Sequence, residues 1–254
     1  GKRSGCHQGF SYVFDVDACG GSTEKLYDKL IPWIEEHRDS NTFVYAHVCD
    51  PHAVYNPPLE YRDWYDLDGT KSDARQERED FDERLDPSWV DSPSKYGRRA
   101  LYDGEIRHND DLFKELIDRL REWDMIDDTL LAFIGDHGEY FGEKDLWEHR
   151  PPGFVQGIRV PFLLHYPRRF KGGRLVSEGV QLIDLMPTFL DLAGLDCSKF
   201  AVHGRSLLEL IDGKKVDFWA RRILVSEEPI FLERYEDPCL LVGSFFHKKQ
   251  HWLR

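Results

Sequence analysis

The chain has 254 residues, 41% of them hydrophobic and 32% charged, with a formal net charge of −13 at pH 7. That length and apolar content are enough for a large buried core in one α/β domain, whereas the acidity excludes a general nucleic-acid binder, which would present a basic face to phosphates. An anionic small substrate is not excluded, because a bound divalent cation can dominate the local field of a site.

Residues 22–37 read as the first helix: Ser22 is placed to cap it, and Leu26, Leu30, Trp33 and Ile34 recur at helical spacing. Residues 42–48 read as a short strand, ending in a histidine-rich segment, His47, Val48, Cys49, Asp50, Pro51, His52. Between residues 50 and 93, prolines, aromatics and a charged run over residues 72–86 replace apolar periodicity. This stretch is expected to cross the surface as a long loop, with a helix as an option in its charged part. From residue 97 to 125 the pattern is again helical, with Leu101, Ile106, Leu112, Leu116, Ile117 and Leu120 set among charges.

Strand 129–134 follows, and its apolar run Leu130, Leu131, Ala132, Phe133, Ile134 stops at Gly135, Asp136, His137, Gly138, Glu139. A strand with almost no polar residue is expected in the middle of a parallel sheet, and open α/β sheets bind ligands beyond the carboxyl ends of their strands. An Asp-His doublet at that point has two readings. It is a metal-ligand pair, or it is a turn in which Asp136 caps the next segment and the glycines allow tight backbone angles. A loop rich in glycine and aromatics leads to strand 160–165; helix 182–192 follows with Gly194 placed to end it, and residues 223–226 and 240–246 are short strand candidates. Helices and strands in this order indicate a predominantly parallel central sheet flanked by helices.

Five cysteines, Cys6, Cys19, Cys49, Cys197 and Cys239, are scattered without a Cys-x-x-Cys pair, so neither a zinc site nor a disulfide framework is indicated. No stretch has the length of a transmembrane helix. Compartment and oligomeric state are left open.

The histidine segments gain meaning from their company. Asp136, His137, Gly138 and Glu139, followed by Gly142, Glu143, Leu146 and Trp147 and then by Ile158, Arg159, Val160 and Pro161, resemble the metal-ligand segment of the sulfatase family and the strand after it. Asp50, Pro51 and His52 with Tyr55, Pro57 and Pro58 are similar to that family's Asp-Pro-His-x-Pro-Tyr segment, with Val54 in place of a proline. Ile183 to Thr188 with Leu192, Ala193 and Gly194, and the run Gly204, Arg205, Ser206, Leu207, Leu208, resemble two later family segments.

The resemblance implies an alkaline-phosphatase-like α/β fold, in which residues 1–212 are the C-terminal portion of the catalytic domain and residues 213–254 begin a small C-terminal subdomain. It implies hydrolysis of a sulfate ester on a sulfated small molecule or glycan, assisted by a divalent ion. Asp136 and His137 would hold that ion, calcium first, with magnesium, manganese or zinc as alternatives. His52 would contact a sulfate oxygen or protonate the leaving alcohol. His149, where many members carry lysine, and Lys144 would contact substrate. Aromatic residues Tyr55, Trp64, Tyr65 and Trp147 either stack on a sugar or aryl group or pack against the domain.

One family feature is missing. Members use a Cys/Ser-x-Pro-x-Arg motif, whose first residue becomes formylglycine, as nucleophile; Cys49, Asp50, Pro51 is the nearest approach and lacks the arginine. The segment Gln8 to Asp15 resembles one that lies after the nucleophile half of the sheet, and Leu241 to Ser244 resembles the start of the small subdomain. The nucleophile is therefore expected outside this sequence, and these residues alone are expected to be inactive. Two other functions fit the same segments: a phosphodiesterase or phosphonate monoester hydrolase of the same superfamily, and a non-catalytic sulfatase-like protein that binds an anion or a partner.

Overall fold

A computed structural model describes residues 8–14, 23–53, 55–62, 95–149, 153–196, 198, 201–214, 216–230 and 240–246. The charged run 72–86, Ser22, Trp64 and Tyr65 lie outside them. The chain divides into two compact units, Gly1–Asp127 and Asp128–Arg254.

The first unit is helical. Helix α1 spans Thr23–Glu36, the single-turn α2 Leu59–Arg62, and the long α3 Lys95–Glu122. The N-terminus of α1 is served from a distance: the Asp50 carboxylate accepts the Thr23 N–H at 3.2 Å and its hydroxyl at 2.7 Å. A buried carboxylate thus does for this helix what an N-cap side chain does locally. Helix α3 packs against α1 and α2, burying Leu116 and Leu120. Its outer face carries ion pairs one turn apart, such as Arg107 with Asp111 at 2.9 Å. Gly104 permits α2 to come close, since a Cβ there would stand 2.7 Å from the Tyr61 carbonyl oxygen. Residues 42–48, expected as a strand, join no ladder among the described residues.

Among the described residues the second unit holds three two-stranded ladders. Strand β1 (Leu131–Ile134) pairs with β4 (Phe162–His165); β2 (Tyr140–Phe141) pairs with β3 (Trp147–Glu148); β5 (Leu224–Ile230) pairs with β6 (Leu240–Phe246). All three pairings are antiparallel. The expected predominantly parallel sheet is therefore not seen among the described residues. The reason lies in the connection: from β1 the chain makes the β2–β3 hairpin and the one-turn helix α4 (Val155–Ile158), then returns directly alongside β1. A parallel neighbour would need a crossover that carries the chain back to the start of β1.

Strand β4 alternates, with Phe162 and Leu164 turned inward and Leu163 and His165 outward. The inward pair packs on the core of Leu207, Leu210 and Trp219, with Val176, Val180, Ile211 and Val216. Phe133 and Leu163, partners in the β1–β4 register, are exposed on the other face. The strand at 129–134 is thus covered on one face rather than two.

A 3₁₀ turn, Leu182–Asp184, leads into α5 (Leu185–Leu192). Gly194 ends α5 as expected: its φ is +70°, and the Leu195 N–H donates back to the Leu190 carbonyl at 2.8 Å. Short helices α6 (Leu208–Ile211) and α7 (Asp217–Arg221) complete the unit. At its centre Asp184, fully buried, accepts the N–H groups of Gln181 and Arg205 and both guanidinium arms of Arg222. Among the described residues no helix is long and apolar enough to cross a membrane.

Candidate functional site

The turn after β1 is built by a backbone contact that only glycine permits. The Gly138 N–H donates to the Gly157 carbonyl at 2.7 Å, and a Cβ on Gly138 would fall 1.9 Å from the Gln156 carbonyl oxygen. Beneath it Tyr140 is buried, and its hydroxyl accepts the Phe154 N–H at 2.8 Å. Gly157 lies against that same hydroxyl, within 2.6 Å of where its Cβ would be. A rigid floor of Tyr140, Phe154 and Gly157 therefore supports the Asp136–His137 turn.

On this floor Asp136 and His137 remain accessible, with side-chain exposures of 69% and 42%. The turn reading of the doublet is met by its hydrogen bonds. Asp136 caps the turn, accepting the His137 N–H at 2.9 Å through Oδ1. The His137 ring is oriented by the chain itself, because Nδ1 lies 2.9 Å from the Gly138 carbonyl oxygen. A carbonyl only accepts, so Nδ1 carries the proton and the neutral ring keeps its lone pair on Nε2. That nitrogen is 3.8 Å from Asp136 Oδ1. A histidine whose far nitrogen is tied to a backbone carbonyl is the usual arrangement around a metal.

His149 joins this pair. Its ring stands 4.3 Å from that of His137, centre to centre, tilted by 33°. Its Nδ1 is 3.3 Å from Glu139 Oε1, a carboxylate whose side chain is only 5% exposed. Glu139 was not singled out from sequence; its position two residues after His137 was the available signal. Lys144 sits on the same hairpin, but its ammonium lies over the Phe154 ring at 3.7 Å, a cation–π contact. It reaches that place through a left-handed backbone, φ 56°. Trp147 lies against Gly142, whose φ is +99°, and Tyr55 is buried edge-on to Tyr102; both pack against the protein.

His52 belongs to the first unit. Its Nδ1 is 2.5 Å from the Ala53 carbonyl oxygen, and its N–H donates to the buried Glu105 at 3.2 Å. Cys49 is disulfide-bonded, which agrees with its rejection as nucleophile and shows a disulfide that the scattered cysteines did not indicate.

Among the described residues no three His, Cys, Asp or Glu side chains converge on one metal position. Asp136 and His137 offer one oxygen and one nitrogen. That donor set fits part of a shell around a hard or borderline divalent ion, the remaining positions needing further donors.

Comparison with known proteins gives the lineage. The family model described as Sulfatase matches residues 3–195. An arylsulfatase of Clostridium perfringens is 27% identical over 184 residues, covering 64% of this chain and 36% of that protein. A choline-sulfatase of Rhizobium meliloti is 34% identical over 117 residues, 45% of this chain and 22% of that protein. A phosphonate monoester hydrolase of Silicibacter pomeroyi superposes with a TM-score of 0.71 at 23% identity, over 91% of this chain and 55% of that one. The last likeness shows a common fold, and in each case this chain spans little more than half of its relative or less. With the family model matching well over half of its length, the chain belongs to the sulfatase family.

Proposed function

We propose that this chain carries the metal-ligand half of a sulfatase site and serves the hydrolysis of a sulfate ester on a sulfated small molecule or glycan, the nucleophile coming from outside these residues. The observation that supports it most is the His137 ring, tied at Nδ1 to Gly138 with Nε2 beside Asp136 Oδ1. Asp136 and His137 would hold a divalent ion, calcium by the family's preference, with magnesium or manganese as alternatives. When bound, such an ion supplies Lewis-acid stabilisation of charge on the ester's oxygens.

The remaining steps fall to the chain's own side chains. Glu139 holds the Nδ1 proton of His149, so His149 meets an anionic ester oxygen as a donor when its ring is charged. The tilted His137 ring packs against it at 4.3 Å, centre to centre. His52, with its Nδ1 proton held by the Ala53 carbonyl, gives the leaving alcohol the Nε2 proton of its charged ring and is left as the neutral Nδ1–H tautomer, a task that suits an imidazole near neutral pH. Lys144, drawn over Phe154, contributes positive potential to the same hairpin and no direct contact.

The test uses the complete polypeptide that contains this segment. It should release sulfate from 4-nitrophenyl sulfate, and Asp136→Ala or His137→Ala should lower the rate by at least ~10²-fold, the scale expected when a metal ligand or its orienting partner is lost. The fold is shared with a phosphonate monoester hydrolase, so 4-nitrophenyl phenylphosphonate is the control substrate. Faster turnover of the phosphonate would replace sulfate by phosphonate ester in this reading. Binding of inorganic sulfate without turnover of either ester would instead favour a non-catalytic anion-binding protein.

A further inference from the structure

Glu105 stands in the middle of α3 and is 2% exposed. A carboxylate so buried needs hydrogen bonds to hold its charge. Its two oxygens are divided between two backbone N–H groups of one loop: Asn56 donates to Oε1 at 2.6 Å and His52 donates to Oε2 at 3.2 Å. One helical turn further on, Asn109 Nδ2 donates to the Asp50 carbonyl at 2.6 Å. The Asp50 side chain is in turn committed to Thr23 at the start of α1. Residues 50–56 are therefore gripped at a carbonyl before His52, at the His52 amide itself, and at an amide after it.

The His52 ring is coupled to this backbone. Its Nδ1 meets the carbonyl oxygen of Ala53, which lies between the two amides that Glu105 holds. A carbonyl accepts only, so that contact fixes both the tautomer and the ring plane. If the loop moves, the carbonyl moves and the ring loses its reference. We infer that Glu105 and Asn109 are positioning residues for His52, acting through the loop backbone. The inference rests on the reading of His52 as a substrate-facing proton donor.

Glu105→Gln separates this role from packing. A glutamine has nearly the same shape, but offers one acceptor where the carboxylate offers two, and its NH₂ would face an N–H. In the 254-residue chain, exchange of the His52 or Asn56 amide should rise about tenfold or more in Glu105→Gln, while α3 amides near Leu116 and Leu120 keep their protection. The His52 ring nitrogens, followed by NMR, should pass from one tautomer to a mixture. Asn109→Ala should shift the same ring signals through Asp50, and it carries the test if Glu105→Gln loses the α3 protection. An unchanged tautomer in either folded variant overturns the inference, whatever happens to the amides.

Titration with inorganic sulfate keeps this result apart from the proposed function. Sulfate that shifts the His52 ring in the unaltered chain and not in Glu105→Gln supports both. An equal shift in the two proteins overturns the positioning role. No shift in the unaltered chain removes His52 from the sulfate site, while the tautomer still decides whether Glu105 holds the ring.

Discussion

Gly138 and Gly157 meet backbone to backbone, the N–H of the first donating to the carbonyl of the second at 2.7 Å. Both are held there by steric limits: a Cβ on Gly138 would lie 1.9 Å from a carbonyl oxygen, and one on Gly157 would lie 2.6 Å from the buried Tyr140 hydroxyl. The contact joins the turn that carries Asp136 and His137 to the one-turn helix α4. Geometry at the candidate ligands therefore depends on two residues that have no side chain.

Gly138→Ala should for this reason act on both stability and site. The colliding atom is backbone and cannot swing away, so the turn must move; a cost of about 2–4 kcal/mol is expected, the range of a severe overpacking. The close approach of the His137 and His149 rings should be lost with it, visible as a change in their ring-proton shifts. Gly172→Ala is the control. Its added Cβ meets nothing within 4 Å, and its effect should stay within about 0.5 kcal/mol in urea denaturation.

The Asp184–Arg222 pair is the electrostatic counterpart of that steric constraint. Arg222 is 8% and Asp184 0% exposed at the side chain, and Asp184 also accepts the Gln181 N–H at 2.8 Å and the Arg205 N–H at 2.9 Å. Asp184→Asn leaves the guanidinium of Arg222 buried without its counter-charge, which should cost about 3–5 kcal/mol. Arg222→Met leaves the carboxylate with its two backbone donors but no cation. Combined, the two changes should be milder than their sum by about 1–3 kcal/mol, measured as a double-mutant cycle in denaturant. Strict additivity would mean that the two charges stabilise the unit independently.

What could be read along the chain and what could not divide by the range of the interaction. Periodicity placed α3 within a few residues of its ends, and Gly194 marked the end of α5, because both rest on contacts between near neighbours in sequence. The turn at Asp136–His137 was also legible, as its hydrogen bonds close between adjacent residues. The part Asp50 plays at the N-terminus of α1 was not, because it lies 27 positions away. Glu105 looked like one more surface charge on an amphipathic helix, and only the loop 49 to 53 residues before it gives it a buried role. The antiparallel direction of the β1–β4 pairing was not legible either, for a related reason. An apolar run states that a strand is covered, but carries no information on which way its neighbour runs.

The Asp136–His137 pair should bind metal weakly by itself. Two donors supply a minor part of the six to eight that calcium takes, so a Kd of about 10⁻³ M or weaker is expected for the 254-residue chain. Manganese makes this measurable, since its paramagnetism should broaden the ring signals of His137 first. His137→Ala and Asp136→Ala should each abolish the local effect. Glu139→Gln should act first on the His149 ring, because Glu139 contacts that imidazole. Broadening that survives Asp136→Ala would assign the ion to other groups.

Tyr27 links the first unit to alkaline pH. It lies on α1 and is 7% exposed, and burial pushes its hydroxyl up to about 12 from 10.0. The folded protein thus disfavours the phenolate that the unfolded chain forms more readily. With the folded pKa above the unfolded one, the stabilisation is complete below pH 10 and is lost as the pH rises from there toward 12. Its size, at 1.36 kcal/mol for each pKa unit, is on the order of 3 kcal/mol. Urea midpoints of the first unit's transition should therefore fall between pH 9 and pH 11 more steeply in the unaltered chain than in Tyr27→Phe, which has no proton to lose. Parallel pH profiles for the two proteins would show that the Tyr27 hydroxyl ionises as readily in the folded chain as in water.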